Sequence, residues 1–78
     1  MPRYFMHIRR TGSLSTDPEG VELPDLEQAR REAQLDAREL IADRIRSGKM
    51  IGDDRFEIAD ERGNILAMVP FRDAIRFQ

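Results

Sequence analysis

The stretch PDLEQARREAQLDARELIADRIRSG, residues 24–48, decides the fold. Asp25 stands where a helix N-cap is wanted, with Gln28 three residues on, an aspartate form of the capping box, and Pro24 just outside. Asp25 and Glu27 crowd the first turn, and Arg44 and Arg46 the last, which matches the helix macrodipole. Gly48 supplies the stop. Between these signals Leu26, Ala29, Ala33, Ala37, Leu40 and Ile41 recur on one face at helical spacing, with Ile45 at its margin. That stripe is narrow and rich in alanine, so the helix can approach a sheet closely. Arg30 and Arg44 lie along its edge, and Leu35 points almost directly away from it.

Outward from the helix, the flanks read as strands. Residues 4–8 are aromatic and apolar without a helical period, placing Tyr4, Met6 and Ile8 on one face and Phe5, His7 and Arg9 on the other. Residues 11–20 form a polar loop in which Asp17-Pro18-Glu19-Gly20 carries the residues of a type I turn. Leu14-Ser15-Thr16 and Val21-Glu22-Leu23 flank that turn and are candidates to pair as a short hairpin. After a loop over 49–54, residues 55–60 predict a strand, Glu61-Arg62-Gly63-Asn64 a tight turn, and residues 65–71 a second strand. Ile65, Ala67, Val69 and Phe71 occupy one face of that strand, Leu66 and Met68 the other. A strand apolar on both faces is usually central, which favours the last strand as the middle of the sheet. Pro70 marks its end or a free edge. Residues 72–78 form a helical turn or an extended tail.

The pattern is strand, helix, strand, strand: a small two-layer α+β domain over residues 1–78, with one long helix on a mainly antiparallel sheet of three to four strands. A helix over 25–47 is roughly 34 Å long, against about 20 Å for a six-residue strand. Surplus apolar sheet and surplus helix both predict that something packs on this domain, most simply a second copy.

Composition narrows the function. At 78 residues with no cysteine, the chain has neither disulfides nor thiolate metal sites to support a small core, and no thiol nucleophile. The formal net charge is −2, so a general grip on a phosphate backbone is disfavoured. No span approaches the ~20 apolar residues of a membrane helix, and the segment before the first strand has no signal-peptide character. A cytoplasmic protein is expected.

Each candidate for chemistry lacks its partners. His7, the single histidine, has no convergent ligands or carboxylate motif and reads as a half-exposed sheet residue. Asp53-Asp54 and Asp60-Glu61 resemble a cation cluster, but their spacing does not match a calcium loop. Arg3, Arg9, Arg10, Arg55 and Arg72, with Tyr4 and Phe5, carry the residue types of a single-strand nucleic-acid platform, opposed by acidic neighbours at 17–27 and 53–61. There is no phosphate-binding glycine loop, dinucleotide fingerprint or nucleophile elbow. No catalytic, metal-binding or cofactor-binding residue is assigned.

Taken together, MPRYFMHIRR, DPEGVELPDLEQARREA and FEIADERGNILAMVPF resemble the small bacterial domain of unknown function family numbered 6894, known mainly from alphaproteobacteria. The points of resemblance are Tyr4-Phe5 with His7, Asp17 with Gly20, Leu23-Pro24-Asp25-Leu26, Ala29, Ala33, the turn from Asp60 to Gly63, and Val69-Pro70-Phe71. Met6, where a second aromatic is common, is a departure. The resemblance implies a compact cytosolic α+β domain with no assigned activity and supplies no site residues. In element order alone the chain is also similar to HicB-type antitoxins. The expectation is a non-enzymatic interaction or regulatory protein that acts as a homodimer and binds an unidentified protein. Phe5, His7, Leu35, Leu66 and Met68 are its candidate surface. The alternatives are an antitoxin-like regulator linked to nucleic acid and a small-ligand-binding domain.

Overall fold

In the computed structural model, which describes residues 1–49 and 52–75, α1 spans Leu26–Arg46. Asp25 caps it from an extended conformation, its Oδ1 accepting the Gln28 N–H at 2.9 Å. At the other end Lys49 N–H reaches Arg44 O at 2.8 Å and Gly48 N–H reaches Ile45 O at 3.2 Å. With Gly48 at φ +71 this is a Schellman ending. Ala29, Ala33, Ala37 and Ile41 are the helix residues that are buried, so the alanine stripe is the inner face as its spacing predicts.

Among the described residues five antiparallel strands form the sheet: β1 (Arg3–Arg10), β2 (Ser13–Ser15), β3 (Val21–Glu22), β4 (Arg55–Ala59) and β5 (Ile65–Pro70). The order is β2-β1-β4-β5, with β3 also on β1. Cross-strand partners share a face. The rows Met6–Ile58–Ala67 and Ile8–Phe56–Val69 therefore stack under the helix together with Tyr4. A 3-10 turn over Phe71–Ala74 follows β5 and folds back on α1, burying Phe71 and Ala74, while Arg38 donates to Ala74 O at 2.9 Å. The expected α+β class is observed, with one strand more than the three to four expected.

Three local expectations are corrected. The middle strand is β4, not the last one. β5 is an edge strand whose second apolar face is exposed rather than covered. The centre of the other face is held by Glu57 of β4, buried to 6% exposure, and a charged side chain is tolerated there because arginines flank it. Second, residues 13–15 and 21–22 do not pair with each other. Each pairs with β1, end to end along one border: Ile8 opposite Ser15, and Tyr4 opposite Val21. Third, the register shifts between Ile58 and Ala59, so Ile65 stands opposite Ala59 instead of joining the core row, and it is 45% exposed. Of the expected loop over 49–54, residues 50 and 51 lie outside the described residues, as do 76–78 of the tail.

Candidate interaction surface

Among the described residues no helix lies on the second face of the sheet. Its rows follow from the register: Arg9–Arg55–Pro70, His7–Glu57–Met68 and Phe5–Ala59–Ile65. Phe5, His7, Met68 and, by alternation, Leu66 thus come together on this face. Leu35 does not join them: it is exposed on the helix surface turned away from the sheet. Met68 is 54% exposed and Leu66 41%, so the β5 side of the face is apolar and open.

The β1 side is partly covered by the residues 16–20, and that cover explains His7. The peptide between β2 and β3 bulges away from β1 at Met6, which would leave the Met6 N–H without a strand partner. The Asp17 carboxylate takes that place, Oδ2 accepting the Met6 N–H at 3.1 Å. Oδ1 accepts the N–H groups of Glu19 and Gly20 at 3.2 and 3.1 Å, which fixes the turn. Asp17 in turn donates its own N–H to His7 Nδ1 at 3.0 Å. An accepting Nδ1 leaves the ring proton on Nε2. His7 also stacks near Phe5, with centroids 6.4 Å apart. Its role here is to hold the turn down on the border strand.

Glu57 sits opposite His7 and between two arginines. Arg9 Nε donates to Oε2 at 3.2 Å and Arg55 Nη2 to the same oxygen at 3.3 Å. Arg55 Nε is buried with no acceptor among the described residues. The Arg9 hydrogen bond, opposed by burial and aided by the charges of Arg9 and Arg55, holds the Glu57 carboxyl below the usual glutamate range. For Asp17, burial pushes upward, but the N–H groups of Gly20, Met6 and Glu19 and the neighbouring His7 outweigh it, and the carboxyl lies below the usual aspartate range. Both contributions to stability are present above the ordinary carboxylate range and are lost as pH falls through the depressed values.

Asp36, on the outer side of α1, shifts the other way, raised by burial and then by the charges of Glu39 and Glu32. The neutral form is the favoured one in the folded state, so its benefit is present at acid pH and disappears as pH rises through the raised value. Asp36→Asn is therefore expected to stabilise the fold near pH 7 by about 0.2–0.5 kcal/mol, the size of like-charge neighbours on a helix. Urea titrations at neutral and strongly acid pH check this. A gain of equal size at both would contradict it.

The other candidates for chemistry separate. Asp53 and Asp54 precede β4, Asp60 and Glu61 follow it, and a strand's length keeps them apart. Asp54 is buried and paired with Arg10 at 3.2 Å and with Arg44. Asp60 closes its own turn, accepting from the Arg62 and Asn64 N–H groups, each at 2.9 Å. Among the described residues no group of three or more His, Cys, Asp or Glu is arranged to hold a metal ion. The five arginines of the nucleic-acid reading each lie against an acid: Arg3 with Glu22, Arg9 and Arg55 with Glu57, Arg10 with Asp54, Arg72 with Asp53. Tyr4 is buried under the helix, on the sheet face opposite Arg3 and Arg9. A depression of about 300 Å³, lined by Pro2, Arg3, Asp60, Glu61 and Arg62, opens at the rim of the sheet; its lining is largely charged. No helix of the described residues is long and apolar enough to cross a membrane.

Sequence reasoning missed two arrangements. One is the Asp17 closure of the β1 border. The other is the seat of Phe71, whose N–H donates to Asp54 O at 2.9 Å and whose ring lies 5.5 Å from the Arg44 guanidinium. The DPEG turn and the apolar-edge arginine were visible signals for these, without their partners.

Residues 3–72 match a family model described as "Domain of unknown function (DUF6894)". No curated protein and no solved structure matches the chain.

Proposed function

The chain belongs to the DUF6894 family, and we propose that it is a non-enzymatic protein-interaction or regulatory module of the cytoplasm that works as a homodimer. The observation that supports this is the uncovered apolar side of the sheet. Ile65, Leu66 and Met68 are each more than 40% exposed on adjoining positions of one edge strand, with exposures of 45%, 41% and 54%. Contiguous exposed apolar residues on a small domain mark a surface that meets another macromolecule. Small size without disulfides favours sharing a core between copies. A further protein partner would use what the dimer leaves free.

The test is the mass in solution. Sedimentation at micromolar concentration is expected to give a dimer. Met68→Asp is expected to weaken association at least about tenfold while helix content by circular dichroism stays nearly constant. A wild-type monomer at about 100 μM, a concentration at which even weak specific pairs assemble, overturns the reading. The nucleic-acid alternative has less support, because the arginines it needs are occupied by carboxylates. The ligand alternative has only a charged, open depression, where small-molecule sites are mostly apolar and enclosed.

A further inference from the structure

The two borders of the sheet are built differently. One is short and broken. β2 has three residues and β3 two, Pro18 lies in the gap, and the Asp17 carboxylate occupies the N–H that the gap exposes. Such features keep a border from adding a strand. The other border is β5, six consecutive residues, ILAMVP, with no charge among them. On a solitary domain that is an unprotected template for pairing.

The hydrogen-bond phase of β5 can be fixed. Phe71 N–H donates to Asp54 O, in the same register that sets Val69 opposite Phe56 and Ala67 opposite Ile58. Groups alternate along a strand. Ala67, Val69 and Phe71 therefore turn N–H and C=O toward β4, whereas Met68 turns its own outward and Leu66 continues that alternation up to the irregularity at Ile65. Pro70 belongs to the outward set, where its missing N–H interrupts no bond to β4.

We infer that the free border of β5 pairs antiparallel with β5 of a second copy, Leu66 opposite Met68, joining two five-stranded sheets into one. This rests on the homodimer reading above and specifies how the two copies meet. In that register every outward N–H and C=O of Leu66 and Met68 finds a partner, and Pro70 ends the ladder on each side. Leu66 meets Met68 of the second copy on the open face. On the helix face Ala67 meets its own counterpart, two methyl groups that leave room for close approach. The charges also suit a second copy. Glu61 and Arg62 precede β5 and Arg72 and Asp73 follow it. With Asp60 of the same turn, reversal of the strand gathers three acids and two bases at each end, a set of mixed sign in which the acidic turn of one copy meets Arg72 of the other.

Met68→Pro tests the pairing without touching β4, since it removes an outward N–H as Pro70 already does. It deletes one border bond per copy, two per dimer. The dissociation constant by sedimentation equilibrium is expected to rise roughly 30- to 100-fold, with the circular-dichroism spectrum unchanged. Amide exchange on the wild type reads the same contact without a mutation. The Leu66 and Met68 N–H groups are expected to be protected, increasingly so at higher protein concentration. A wild-type dimer in which these two amides exchange freely overturns edge pairing and leaves the homodimer reading standing, with the open faces packed together instead. A dimer equally tight in a folded Met68→Pro variant has the same meaning. A wild-type monomer at about 100 μM overturns both.

Discussion

Phe71→Ala is expected to remove about 3–5 kcal/mol of stability, a large share of what a domain of this length possesses at roughly 0.05–0.15 kcal/mol per residue. Among the described residues Phe71 and Ile58 are the largest side chains with essentially no exposure. The Phe71 ring packs on Phe56 with centroids 5.0 Å apart and an interplanar angle of 43°, and the Arg44 guanidinium covers it. Truncation leaves a cavity where sheet, helix and 3-10 turn meet. It also takes the ring from beneath Arg44, which is ion-paired with buried Asp54. No disulfide limits the unfolded chain, so the loss is expected to appear in full as a lower urea midpoint with an unchanged slope. Phe71→Leu, which refills most of the space, is expected to lose about 1–1.5 kcal/mol. A deficit below that in the alanine variant would mean that the turn after β5 is not part of the core.

Gly20→Ala is the second large effect, about 2–4 kcal/mol from two sources that a control separates. Gly20 has φ +69, a left-handed conformation that alanine adopts at a cost of roughly 1 kcal/mol. A Cβ at Gly20 would also lie 2.8 Å from Phe5 Cε2 and 2.9 Å from Tyr4 O, and the second of these is backbone that cannot rotate away. Gly63 has φ +86, and a Cβ there would meet nothing within 4 Å. Gly63→Ala therefore measures the backbone cost alone, and the difference between the variants measures how tightly the Asp17 turn lies on β1. Equal losses in thermal or urea unfolding would show that the turn does not touch Phe5. The larger loss should be accompanied by a weakened Asp17–His7 bond, visible as a shift of the His7 ring resonances.

The helix was legible in the sequence because everything that specifies it is local: the Asp25 cap, the alanine stripe and the Gly48 stop all act within a few residues. The strands were legible as segments, but their order was not. β5 looked central because apolar residues occupy both its faces, whereas the strand that does lie between β1 and β5 is β4, which carries Arg55 and Glu57. Burial of Glu57 depends on Arg9, far away in the chain, and no period of two reveals such a pair. The split border strand was hidden for a similar reason. A side-chain carboxylate does the work of a missing backbone acceptor at Met6, and only the folded arrangement brings Asp17 there. Of the candidate surface, the register sets Phe5, His7 and Met68 on one face of the sheet, with Leu66 beside them by alternation. Leu35 was separated from them by the helix itself.

The closed border beside Met6 has a consequence for stoichiometry. A sheet with two receptive borders adds neighbours in both directions and grows into a fibre. One that is shut on one side accepts a neighbour only on the other, and after a single reciprocal addition no receptive border is left. The short β2 and β3, Pro18 and the Asp17 carboxylate together would limit the proposed strand addition to two copies. Loss of that carboxylate would free the Met6 N–H, while the short strands and Pro18 would still keep that border from extending.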